Sequence, residues 1–230
     1  MTTPVPSSFE WTQLMQPLLT GGAALFGVWF AGSLTEGRER RREDARIQTE
    51  RTYLAILVAS HLDRLANACL SIALDDGRDE YGAPAGPRGE HAPTTKDPAF
   101  APLDFEVEWK ALPQSLMLSV LRLPMEIERL GARVAAAHES HWDPPDHIEF
   151  FHLRQRGYAE LGLKVGALAR ELEALVGIPA QKAHPHDWSR DSELRSIISG
   201  IDHAAALRGD ARAASQVFDA AFVTDEAKPA

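Results

Sequence analysis

Cysteine is almost missing: Cys69 is the single one in 230 residues. No intramolecular disulfide can form, and no thiolate cage for zinc or iron–sulfur chemistry is available. Basic residues are outnumbered, 24 Lys and Arg against 33 Asp and Glu, for a formal net charge of -9. A surplus of that sign repels phosphate backbones, so the sequence argues against a nucleic-acid partner. Aromatic residues make up 7% of the chain and β-branched runs are few, which favours helix over sheet. The usual signatures of catalysis are missing too. There is no Gly-x-Ser-x-Gly elbow, no phosphate-binding Walker loop, no Gly-x-Gly-x-x-Gly turn and no His-Glu-x-x-His pair. No unit of 20 to 50 residues repeats, so a solenoid is not expected. These absences argue against an enzyme without naming another role.

Charge is absent altogether between Glu10 and Glu36. A helix over this window of about 25 residues is ~37 Å long, against a hydrocarbon core of ~30 Å. Gln16, Thr20 and four glycines dilute its centre, while Trp11 and Trp29 suit the two interfaces. The first ten residues hold no Lys or Arg, unlike the start of a cleaved signal peptide, so an anchor is the expectation. Arg38, Arg40, Arg41 and Arg42 follow at once, and juxtamembrane arginines stay on the cytoplasmic side. The expected location is the cell membrane, single-pass, with the N-terminus outside and the rest in the cytoplasm. Ala23, Gly27 and Ala31 recur every fourth residue, a small-residue ridge through which two membrane helices can approach and form a homo-oligomer.

Past the anchor, Arg and Glu interleave without a proline up to Arg51, the composition of a solvated helical stalk. It leads into a heptad-like seam, Leu54, Val58, His61, Leu65, Ala68 and Ile72, which implies a coiled-coil partner or later helices of the same chain. A helix stop is expected near Asp75-Asp76-Gly77. Residues 82 to 93 are rich in Gly and Pro with little to bury, the composition of a flexible, disordered loop. Phe105, Val107 and Trp109 then alternate with acids as an extended lead-in. Pro113 and Pro124 each suit a first helical position, predicting two short helices that meet at a kink. Asp146 with Glu149 matches a capping box opening a long helix with Phe151, Tyr158, Val165 and Leu172 on one stripe and Leu161, Leu168 and Leu175 on another. That helix should end at Gly177-Ile-Pro179, with a last helical region from Leu194 and a turn at Gly209. The predicted fold is all-α: an N-terminal transmembrane helix continuing into a charged stalk and a small antiparallel helical bundle. Its parts are an extracytoplasmic tail (1–10), the span (11–35), stalk and first bundle helix (36–76), a flexible linker (77–103), a helical domain (104–222) and a disordered tail (223–230).

Histidine carries what chemical signal there is. His138, His141, Glu149 and His152 lie near one another in sequence, and pairs spaced by three share a helix face, so they are candidate metal ligands. His184 and His186 fit a plain loop. The leading expectation is a membrane-anchored, cytoplasm-facing scaffold or adaptor that acts by protein contact, with the lipid bilayer, a second copy and an unidentified protein as partners and no cofactor. One alternative is a metal- or ligand-binding helical domain, sensor or hydrolase-like, built on the His138–His152 cluster. Another is a minor component of an envelope or phage machine.

Overall fold

The computed structural model describes residues 11–140, 146–179 and 188–225, with side chains for 39–140, 146–179 and 188–208. The described residues are helical and contain no strand. Four α-helices follow one another, α1 (Trp11–Ala73), α2 (Gln114–Ser140), α3 (Ile148–Leu175) and α4 (Arg190–Asp225), with short 3-10 turns at Pro102–Asp104 and Trp109–Ala111. The chain divides into two compact units, residues 1–50 and 51–230.

In the first unit α1 is unbroken, as expected of a proline-free, charge-interleaved stretch after Pro17. The expected ridge of Ala23, Gly27 and Ala31 lies within this helix, as does Arg38, and their side chains fall outside the described residues. Arg40, Arg41 and Arg42 are exposed.

In the second unit, α1 from Leu54 onward, α2 and α3 share one apolar core. Leu54, Val58, Leu65 and Ile72 of the seam are buried, while His61 and Ala68 are half-exposed. The buried face is wider than a heptad seam, because Ala55, Ala59, Leu62, Ala66 and Cys69 are also buried. A stripe this broad belongs to a helix covered by several neighbours of its own chain. Gly162 of α3 shows how close they come: a Cβ there would stand 3.1 Å from both Cys69 Cβ and Leu194 Cδ1. Among the described residues, one helical stretch, Glu39–Ala73 of α1, is long and apolar enough to cross a membrane, and half of its most apolar window is buried inside the protein.

Both stripes of α3 hold: Phe151, Tyr158, Leu161, Val165, Leu168 and Leu172 are buried. Its C-terminus is a Schellman turn, with Gly177 at φ 77°, Ile178 N–H donating to the Glu173 carbonyl (3.0 Å) and Gly177 N–H to that of Ala174 (3.1 Å).

Three local expectations are corrected. Pro124 does not divide two helices but sits inside α2, whose apolar residues on either side, Val120, Leu123, Ile127 and Leu130, pack into one core. Burial of that continuous face outweighs the one hydrogen bond proline removes. The capping box does not form: the N-cap of α3 is His147, in the left-handed conformation (φ 49°) and without a side-chain cap, which leaves Asp146 one residue too early to reach the first turn. Gly209 makes no turn, being within α4.

Candidate functional site

Two groups of polar side chains lie around the start of α3. The first is buried. The Asp75 carboxylate, just past the end of α1, accepts hydrogen bonds from both N–H and hydroxyl of Thr94 (2.9 Å each) and of Thr95 (3.0 and 2.7 Å). It also accepts from Gly77 N–H (3.1 Å) and from the Arg154 guanidinium of α3 (2.9 Å). Arg154 in turn donates to the carbonyl and hydroxyl of Thr95 (2.9 Å each), and Gln155 donates to the Asp75 carbonyl (3.1 Å). Asp75 is 6% exposed and Arg154 2%, so both charges have left water and each survives by the partners named. Burial by itself raises the Asp75 pKa. The donors from Thr95, Gly77 and Thr94 outweigh it and bring the group down to about 2.

This latch fastens residues 77–103 to the helices. The segment otherwise consists of turns: Asp79 accepts from the N–H groups of Tyr81 and Ala83 (2.9 Å each), and Glu90 from that of Arg88 (2.9 Å). The sequence reading of a linker with little to bury missed this attachment, because its glue is polar and Thr95 meets Arg154 from 59 residues away.

The second group lines an open cleft of about 290 Å³ formed by Asp76, Arg78, His91, Asp146, His152 and neighbouring residues. His91 Nε2 stands 3.9 Å from Asp146 Oδ1, and its ring meets Phe151 edge-on at 6.2 Å between centroids. Behind the cleft Arg208 of α4 donates to His152 Nδ1 (3.0 Å) and lies 3.9 Å from Glu149. An arginine can only donate, so His152 Nδ1 is the acceptor nitrogen. Burial first, then the positive charge of Arg208, lower the His152 pKa.

The four candidate metal ligands are thus divided. His138 packs its ring against Phe150 and His147, 5.0 and 5.7 Å away between centroids. Glu149 and His152 share Arg208, and His141 lies outside the described residues. Among the described residues no three His, Cys, Asp or Glu side chains are grouped to hold a metal ion. His91 was not singled out from sequence, and no spacing rule would have done so, since it comes from a Gly- and Pro-rich loop 55 positions before Asp146. His61 stacks at 4.5 Å on Phe105, and His184 and His186 lie outside the described residues.

No protein-family model, curated protein or solved structure matches this chain.

Proposed function

We propose that the protein is a membrane-anchored, cytoplasm-facing helical scaffold or adaptor, in which a single N-terminal span carries an antiparallel helical bundle that works by protein contact. The reading is supported above all by the course of α1. The uncharged window of residues 11–35, the arginines at 38 to 42 and the buried face from Leu54 all belong to one uninterrupted helix. Self-association through Ala23, Gly27 and Ala31 is part of the proposal.

The test is fractionation followed by crosslinking. Full-length protein should remain in the membrane pellet after alkaline carbonate washing and should be protected at its C-terminus, not its N-terminus, from protease added to intact cells. Crosslinking in those membranes should then capture a specific protein partner. Native protein found in the supernatant of a cleared lysate would overturn the anchor, and a C-terminus cleaved from outside would overturn the orientation.

A further inference from the structure

The outward face of α2 carries a row of arginines interleaved with apolar side chains. Leu118, Arg122, Met125, Arg129, Arg133 and Ala136 follow one another at intervals of three or four residues, so they form one ridge, and all six are exposed. Three acids of the same helix flank it, Glu126, Glu128 and Glu139. Glu126, on its flank, is already held by Lys164 of α3 at 2.6 Å. Arg122, Arg129 and Arg133 make no ion pair or hydrogen bond among the described residues. Between the arginines stand large apolar side chains open to solvent, Met125 at 49% and Leu118 at 37% exposure. Beside the ridge runs a groove of about 620 Å³ lined by Leu130 and Leu161, by Arg129, Arg133 and Lys164, and by Glu126 and Glu160. Gly157 lets α2 and α3 close beneath it, since a Cβ there would fall 2.4 Å from Leu130 Cδ1.

We infer that this ridge is a second membrane contact, which lays α2 against an anionic phospholipid surface. Three unneutralised guanidinium groups match phosphate headgroups, and exposed apolar side chains between them match the acyl boundary just below. Leu118 and Met125 are the features that favour lipid over a nucleic acid, whose backbone offers no apolar layer to receive them. This inference rests on the anchored reading for its geometry in the cell, because covalent linkage to a span raises the local concentration of bilayer around the ridge. Each arginine adds about fivefold to partitioning onto an anionic surface, and three together on the order of a hundredfold.

The experiment uses the full chain carrying Met125→Cys, labelled there with an environment-sensitive fluorophore and mixed with vesicles of phosphatidylcholine alone or with added phosphatidylglycerol. Flotation with neutral vesicles reports the anchor, and the fluorophore reports the ridge, so the two readings fail separately. The expected result is flotation with both vesicle types but a blue-shifted, bromolipid-quenched probe with phosphatidylglycerol alone. That signal should fall about fivefold in contact population with Arg129→Gln and disappear with the triple Arg→Gln variant. Should the anchor fail, flotation with anionic vesicles alone, abolished by the triple variant, would still support the ridge. A probe indifferent to phosphatidylglycerol overturns the inference. So does a Met125→Cys disulfide between two copies that forms whatever the lipid charge, which would make the ridge a self-association face, or a probe that shifts only on binding an acidic protein.

Discussion

At the scale of single residues the Asp75–Arg154 pair is the most consequential feature, and its energetics can be read from its partners. Removing Arg154 would leave a buried carboxylate facing only neutral donors, so Arg154→Ala should destabilise the second unit by about 3–5 kcal/mol in urea unfolding. An exposed ion pair would show less than about 1 kcal/mol. Exchanging both partners for apolar residues, as in Asp75→Leu with Arg154→Met, often rescues a buried pair, but here it should not. Asp75 also satisfies the N–H groups of Thr94, Thr95 and Gly77, which would be left without acceptors. The pH dependence follows from the sign of the shift. The folded-state pKa of about 2 is below the ordinary value of 3.8. The stabilisation, about 2 kcal/mol, is therefore complete above pH 4 and is lost as pH falls from about 4 through about 2. Asp75→Asn should flatten the acid limb of a stability–pH curve over that window, and an unchanged limb would show that other carboxylates control it. Cys69 gives an independent probe of the same unit. Fully buried beside Gly162, its thiol is pushed up to about 12 by burial, so it is a protonated thiol at neutral pH. Maleimide should leave Cys69 unmodified in native protein and label it fully in denaturant, and rapid labelling of the native state would mean that α1 opens from α3.

At the scale of elements, two glycines with the same backbone angle separate the two things a glycine can do. Gly77 (φ 78°) turns the chain out of α1 beneath Phe151, and a Cβ there would lie 2.3 Å from the ring edge. Gly177 (φ 77°) ends α3 in open space. Gly177→Ala should cost about 1–2 kcal/mol from the left-handed backbone alone, whereas Gly77→Ala adds a steric clash and should cost about 2–4 kcal/mol. Equal losses in thermal unfolding would argue that the Phe151 contact is soft. The same two sites show what the sequence could reveal. Gly177-Ile-Pro179 announced a helix end, because a Schellman turn is a local device within six residues. The α3 stripe was legible for a related reason, since 28 residues repeat the helical period many times over. Gly77 under Phe151, the Thr94–Thr95 clamp and the His91–Asp146 approach were not legible, because each joins residues far apart in the chain through contacts that leave no periodic trace. Pro124 misled for the opposite reason. Its local signal was real, and burial of the face it interrupts was stronger.

At the scale of the whole molecule the decisive question is what residues 11–35 meet, and the composition of α1 frames it. The apolar window between Glu39 and Ala73 is half buried by the protein itself, so its hydropathy serves the core. The uncharged window that precedes it has the length of a bilayer, and small residues recur in it at 23, 27 and 31. If two chains associate through that ridge, Gly27→Leu should force the helices apart and weaken association by about 1–2 kcal/mol, roughly tenfold in dissociation constant. Förster transfer between labelled copies in neutral vesicles would measure it, and Ala31→Leu should act in the same direction. Phe30→Leu, off the ridge, should leave transfer unchanged. Deleting residues 1–35 should abolish both flotation and association while preserving the burial of Cys69, which packs among described core residues of α1, α2 and α3 from Leu54 onward. Association that survives the deletion would move the contact to the stalk or the helical core and remove the membrane ridge from the proposal.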